Sequence, residues 1–226
     1  VGNDTLGTLT LHGHGGANAA AALDTTAAGD LWDNTLMTTT GTTTAKKSPL
    51  SATSGDNLLS YTLPTLVDGL GITGSYVAAN TTGSGSSAFG ATYTGVEGLT
   101  VSYGQASSDN VINVQGDQTI MKASYAYGSF TVGISENDYD HTTSTNDQEV
   151  SSVSLAYTVS DQISVSYGED TIDRSGSATD IEVSGISASY TSGGMTATVA
   201  QVTAENTDHT AGTDREVWKI GLSFAF

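Results

Sequence analysis

The chain has 226 residues, with 6 Lys and Arg against 24 Asp and Glu, no Cys and 2 Pro. The net charge of −18 argues against nucleic-acid binding, which needs a basic surface. The lack of Cys excludes disulfides and thiolate metal sites. No run of eighteen apolar residues occurs, so no transmembrane helix is predicted, whereas membrane-spanning strands give too weak a signal to be excluded this way.

The beginning of the chain predicts one strand and then a long irregular segment. Residues 1–11 alternate, with Leu9 and Leu11 on one face and Thr8 and Thr10 on the other. Residues 12–54 are rich in Gly, Ala and Thr and lack this alternation, although 19–23 could form a short helix. A loop of this length is usually functional or disordered.

From residue 57 onward, short alternating segments follow one another. Tyr93, Tyr125, Tyr157 and Tyr190 recur at steps of 32, 32 and 33 residues, which indicates hairpins of constant length. With 1–11 the sequence predicts about twelve strands, the others being 57–66, 70–79, 87–95, 98–106, 118–127, 129–137, 148–158, 162–170, 180–191, 195–205 and 214–226. Short connections alternate with long ones, the latter near 80–86, 107–117, 138–147, 171–179 and 206–213.

The two faces of these strands differ in chemistry. Leu99, Val101 and Tyr103, for example, share one face, whereas Thr100 and Ser102 lie on the other. In water the apolar face would need a second layer, but in lipid it needs none, and the polar face then lines a wet interior. Short turns at one end and long loops at the other are typical of outer-membrane barrels. The predicted fold is therefore all-β, a single antiparallel up-and-down transmembrane β-barrel over 1–226.

Aromatic residues near strand ends predict interfacial girdles. The residues beside the short turns would face the periplasm, while Tyr76, Tyr103 and Tyr167 are predicted nearer the long loops. The competing explanation is the high strand propensity of Tyr. The predicted girdle residues are Tyr93, Tyr125, Tyr127, Tyr157, Tyr190, Tyr76, Tyr103, Tyr167, Trp218, Phe224 and Phe226.

The chain resembles the Gram-negative general porin family, especially its alphaproteobacterial members. The terminal strand ending in Ser-Phe-Ala-Phe at 223–226 is similar to the porin C-terminal strand that the assembly machinery recognises. Residues 7–11 with the Ala- and Asp-rich segment to Asp33 resemble strand five and the pore-constricting loop three, so 12–54 is the candidate constriction. Counted this way, the strands match the last twelve of a sixteen-stranded porin. A complete twelve-stranded barrel is the alternative, and the chain starts at Val1 with neither an initiator Met nor a signal peptide.

The resemblance implies an outer-membrane, homotrimeric, passive diffusion channel for small hydrophilic solutes and ions, in contact with the lipid bilayer and lipopolysaccharide. Loop three would supply acids, and strand alternation turns Lys122, Arg215 and Lys219 inward. For each basic residue the competing reading is a solvated rim position, and this reading is preferred for Arg174, which is predicted to lie in a loop. The candidate pore-lining residues are Asp24, Asp30, Asp33, Asn34, Lys122, Arg215, Lys219, His12 and His14.

Most acidic residues lie in or beside the long connections, which predicts an acidic mouth and a weak cation preference. No cofactor is predicted, although Ca²⁺ or Mg²⁺ could bind loosely there, since hard cations take carboxylate oxygen. No Gly-x-Ser-x-Gly, His-Glu-x-x-His or phosphate-loop motif occurs, so no catalytic residue is predicted. A substrate-selective uptake channel and an exported β-rich adhesin without a lumen are the alternatives.

Overall fold

A computed structural model describes residues 2–33, 57–79, 85–108, 116–142 and 147–225, with only the backbone of Asp33. Within these ranges thirteen antiparallel strands form one sheet in which each strand pairs with its neighbours along the chain. The predicted all-β up-and-down order is thereby confirmed. The strands are β1 (Gly2–Asn3), β2 (Gly7–His12), β3 (Leu58–Thr62), β4 (Leu70–Val77), β5 (Ser86–Val96), β6 (Leu99–Ser108), β7 (Gly116–Tyr127), β8 (Phe130–His141), β9 (Gln148–Thr158), β10 (Ile163–Arg174), β11 (Ile181–Ser192), β12 (Met195–Glu205) and β13 (Arg215–Phe224).

Several strand boundaries differ from the predicted ones, and two of these differences matter most. The single strand predicted at 1–11 is two strands, because Asn3 Oδ1 accepts hydrogen bonds from the backbone N–H groups of Thr5 and Leu6 and turns the chain back. Strand β10 continues to Arg174, which was predicted to lie in a loop and instead pairs with Gln148.

From β5 onward, short and long connections alternate as predicted, whereas the connection from β3 to β4, which was predicted to be short, has seven residues. Two residues join β5 to β6 and two join β7 to β8, and Gly98 (φ 76°) and Gly128 (φ 58°) supply the left-handed conformation that such tight turns need. At the other end of the sheet, longer connections join β6 to β7 and β10 to β11. The connection from β2 to β3 belongs to this second end, and its described part, 13–33, contains the 3₁₀ turns Ala21–Leu23 and Leu31–Asp33. The first lies within the predicted helix at 19–23.

The two faces of the sheet are covered differently. We call the face on which residues 13–33 lie the inner face and the opposite one the outer face. Buried apolar side chains sit mainly between this segment and the inner face, in one cluster around Trp32 and one around Ala20. None of the described helices is long and apolar enough to span a membrane.

Large apolar side chains on the outer face are exposed from β2 to β13. Examples are Val132 at 48%, Ile134 at 60% and Ile220 at 83% exposure. Soluble monomers rarely leave so large a contiguous apolar surface in water, whereas lipid covers such a surface without a second protein layer. The apolar face predicted from the alternation is therefore confirmed as one continuous outer surface.

Candidate functional site

The segment 13–33 crosses the inner face of the sheet from β4 to β12. Its contact with the sheet begins near Asn18, whose Oδ1 accepts hydrogen bonds from the N–H groups of Ala20 and Ala21 at the start of the first 3₁₀ turn. It ends at Trp32, which is 5% exposed and packs with Val150, Ile172 and other apolar residues of β9 to β12. The long segment singled out by composition is thus attached along much of the sheet.

Side chains of the strands hold the backbone of this segment by hydrogen bonds. The N–H groups of Ala19, Ala27 and Ala28 donate to Ser75 Oγ at 2.9 Å, Ser135 Oγ at 2.8 Å and Ser152 Oγ at 2.9 Å. A loop on a sheet face has no ladder of its own, so these hydroxyls satisfy backbone groups that would otherwise be buried unpaired. Two carbonyls are satisfied in the same way, by Asn137 Nδ2 at the Asp24 oxygen (3.0 Å) and by Lys122 Nζ at the Thr25 oxygen (2.7 Å).

Glycines of the inner face make room for the segment. A Cβ at Gly90 would lie 2.5 Å from the Ala19 carbonyl oxygen, and one at Gly168 would lie 2.7 Å from Ala28 Cβ. A Cβ at Gly185 would lie 3.0 Å from Leu31 Cδ2. Gly168 and Gly185 pair directly across β10 and β11, so the strands present a groove of backbone to the loop.

Asp170 anchors the far end of the segment. Its side chain is fully buried on the inner face, and its Oδ2 accepts the Leu31 N–H at 2.8 Å. The acids near the long connections were predicted to form an acidic mouth, and Asp170 is an exception, because strand alternation turns it inward while Glu169 and Asp173 face outward. The sequence contains the information that predicts this position. Val165 and Tyr167 face outward, and Asp170, three residues after Tyr167, must face inward if the alternation continues.

Hydroxyl groups line the inner face on the short-turn side of the segment. Ser164 with Ser189 and Ser166 with Ser187 form pairs at 2.8 Å between adjacent strands. A space of about 360 Å³ lies between this wall and Ala27, Ala28 and Leu31. Such a surface is polar but uncharged, so it is suited to contact with water.

The predicted acids of the segment have structural contacts. Asp30 has a left-handed backbone (φ 53°), and its Oδ1 accepts the Thr26 N–H at 2.9 Å while its own N–H donates to Thr26 Oγ1 at 2.8 Å. Asp24 follows the first 3₁₀ turn and is partly buried. Asp33 ends the second turn, and its side chain and Asn34 lie outside the described residues.

The predicted basic residues do not form one cluster. Lys122 and Lys219 lie on the inner face, paired with Ser102 and Ala200, and Arg215 lies there too, paired with Ala204 at the long-connection end of β13. His12 is on the inner face of β2, with Nε2 3.3 Å from Ser60 Oγ, whereas His14 is exposed on the following segment.

The predicted girdle residues that are described all lie on the outer face. Tyr93, Tyr125, Tyr127, Tyr157 and Tyr190 sit near short turns, and Trp218 and Phe224 on β13. Tyr103 and Tyr167 are each the fifth residue of their strand, so they lie near the middle of β6 and β10 and not beside the long connections. The strands extend further than predicted on that side. Phe226 lies outside the described residues.

Comparison with known families identifies the class. The family model described as Gram-negative porin matches residues 2–210. The chain therefore belongs to the Gram-negative porin family, as its resemblance predicted, and its place is the bacterial outer membrane. No curated protein matches the chain.

Solved structures show the same fold at low sequence identity. An anion-selective porin from Comamonas acidovorans gives a TM-score of 0.64 at 14% identity, with 76% of this chain and 60% of that chain covered. A porin refined at 1.8 Å resolution gives 0.56 at 19% identity, with 75% and 61% covered. OccK10 (OpdN) of Pseudomonas aeruginosa gives 0.57 at 14% identity, with 74% and 60% covered. The chain thus spans about three-fifths of the length of these porins.

Proposed function

We propose that this protein is a passive diffusion channel of the outer membrane for small hydrophilic solutes and ions, narrowed by the segment 13–33. The observation that carries the proposal is the position of this segment. It crosses the polar face of a sheet whose other face is an exposed apolar surface. In a membrane the apolar face contacts lipid, so the polar face with its crossing loop is the water-filled side.

The fixed contacts of the segment support a permanent constriction. Serine hydroxyls, Asp170 and the buried Trp32 hold it against several strands at once. It therefore reduces the cross-section of the water-filled side. The serine hydroxyls of β10 and β11 on the short-turn side of the segment stay uncovered. The proposed pore-lining charges are the inward-facing Lys122, Arg215 and Lys219 and the segment residues Asp24 and Asp30. The proposal assigns no catalytic residue.

The ionic preference is a separate part of the proposal. The sequence predicted a weak cation preference from acids at the mouth, and Asp147 and Asp214 do lie in long connections. Asp147 Oδ1 accepts the His141 N–H and Asp214 Oδ1 accepts the Asn206 N–H. The strand acids support the preference less, because they face outward. One structural neighbour is an anion-selective porin, so the fold by itself does not impose a cation preference.

The assembly and ligands of the whole protein follow from family membership alone. We propose a homotrimer in contact with lipid and lipopolysaccharide. In the described ranges no group of three or more His, Asp or Glu side chains is arranged to hold a metal ion. Loose binding of Ca²⁺ or Mg²⁺ by acidic loops stays a prediction.

Recording from planar bilayers tests the proposal. Detergent-extracted full-length protein is expected to add conductance in steps. Without added organic solute, the conductance of each step is expected to rise linearly with salt concentration. Absence of steps would contradict the channel. Saturable, solute-dependent block would favour the substrate-selective uptake channel, and solubility without detergent would favour the adhesin.

A further inference from the structure

Charged side chains of the strands are sorted by face. All four Lys and Arg residues in the described part of the chain lie on the inner face, as their pairing partners show. Lys122 pairs with Ser102 and Ser135, Arg174 with Gln148, Arg215 with Ala204 and Lys219 with Ala200.

The strand acids show the opposite preference. Asp170 is the one acid that the described strands place on the inner face, and the loop buries it completely. Ten others are exposed on the outer face, beyond the apolar surface toward the long connections: Asp117, Glu136, Asp138, Asp140, Glu149, Glu169, Asp173, Glu182, Glu205 and Glu216.

This sorting separates most of the net charge from the water-filled side. A carboxylate on the outer face is divided from that side by the thickness of the sheet and by water with its counterions, and exposed charges are largely screened beyond about 8 Å at physiological salt. A net charge of −18 therefore overstates the field that an ion meets beside the inner wall.

Two of the inner bases are placed to act on a passing ion. Lys122 is near the middle of β7 and beside the constricting segment, where the 2.7 Å bond to the Thr25 oxygen fixes its ammonium group. Lys219 is the fifth residue of β13 and is exposed, with Ala200, Val217 and Gly221 as inner-face neighbours. Arg174 and Arg215 lie at the strand ends beside the long connections, and so nearer the mouth.

We propose that Lys122 and Lys219 set the ionic selectivity of the pore wall and that the outer-face acids contribute little to it. The inference rests on the proposed channel function and names the residues that tune it. Both lysines attract anions and repel cations, so they hold the channel nearer to neutrality than its composition implies.

The test measures the zero-current potential across a planar bilayer in a KCl gradient, with the full-length protein. Each of Lys122→Gln and Lys219→Gln is expected to raise the cation-to-anion permeability ratio by about two-fold, from Coulomb's law at roughly 8 Å in water with screening. Lys219→Arg is expected to keep the wild-type ratio. The matched controls are Glu169→Gln and Glu182→Gln on the outer face, for which no shift is expected.

Two results would overturn the inference. One is a cation-to-anion permeability ratio that falls in the outer-face variants by as much as it rises in the lysine variants. The other is an unchanged ratio in Lys219→Gln. Lys122→Gln loses its bond to the loop and for this reason can fail to assemble. In that case the permeability ratio of Lys219→Gln tests the inference by itself, because Lys219 is exposed. A wild-type protein without conductance steps would contradict the proposed channel itself, whereas conducting variants without the expected shifts would contradict only the assignment of selectivity.

Discussion

The inner and outer faces of the same strands have opposite tolerance for side-chain size and charge. On β8 the outer face carries Phe130, Val132 and Ile134, which stay exposed in the protein and fit lipid. Alternating with them, the inner face carries Gly133, where a Cβ would lie 3.3 Å from Ala27 Cβ, and Ser135, whose hydroxyl accepts the Ala27 N–H. Neighbouring residues in one strand therefore lie in different environments. The same substitution has a different effect when it is moved by one position.

The largest expected effect concerns the two Trp residues, one on each face. Trp32→Ala removes a 5% exposed indole from a cluster with Ile172 and Val183, and such truncations cost about 3–5 kcal/mol. We expect noisier open-channel current and faster proteolysis within 13–33. Trp218→Ala is the control, because Trp218 lies on the outer face and contacts Glu216. Equal current noise in both variants would argue against packing of the loop through Trp32.

The next largest difference in stability is expected when a charged side chain is introduced on one face or on the other. Val132→Arg places a guanidinium in the outer apolar surface, where Arg costs about 2–4 kcal/mol near the bilayer midplane. Thr131→Arg places it on the inner face, one residue away. The urea concentration at half-unfolding in liposomes is expected to fall for the first variant only. A fall for Thr131→Arg alone would reverse the assignment of the faces.

The anchor at Asp170 predicts a smaller effect. Asp170→Ala leaves the Leu31 N–H without its buried acceptor, and an unsatisfied buried donor costs about 1–3 kcal/mol. Asp170→Asn keeps an oxygen that accepts the same bond. We expect a lower unfolding midpoint and a broader conductance distribution for Asp170→Ala, with Asp170→Asn between it and the wild type. If Asn is as damaging as Ala, the hydrogen bond is not the anchor.

The smallest structural change is one methyl group under the loop. Gly90→Ala puts a Cβ 2.5 Å from the Ala19 carbonyl oxygen, and overpacking of this kind costs about 1–3 kcal/mol. Gly221→Ala adds the same methyl group to the inner face of β13, where the nearest atom would be Thr198 Cβ at 4.0 Å. A shifted single-channel conductance is expected for Gly90→Ala and the wild-type value for Gly221→Ala. The same conductance in all three proteins would mean that the loop does not narrow the path beside Gly90.

Strand alternation allowed much of the fold to be predicted, because membrane-spanning strands carry a period of two along the whole sequence. The apolar face of β8 and β10 and the inward position of Lys122 followed directly from that period. The acidic residues of the strands follow the same period, which separates acids that are adjacent in sequence. Applied to Glu169 and Asp170, the period would have assigned one to each face.

The contacts of the loop could not be predicted in this way. A backbone N–H that seeks a hydroxyl finds many serines on the inner face, and the choice of Ser75, Ser135 and Ser152 depends on the path of the loop across the sheet. The inner-face Gly90, Gly168 and Gly185 were the available signal, since Gly inside a strand often marks close approach of another backbone.

The most direct test of the account asks whether residues 13–33 lie on the inner face. The chain has no Cys, so an introduced pair reports one contact. A Cβ at position 133 would lie 3.3 Å from Ala27 Cβ, close to the roughly 3.5–4.5 Å of disulfides. Ala27→Cys with Gly133→Cys is therefore expected to form a disulfide in outer membranes under mild oxidation, detected as a mobility shift that reductant reverses. Ala27→Cys with Ile134→Cys, on the opposite face, should not cross-link. Efficient cross-linking of the second pair, or none in the first when both fold, would contradict the account.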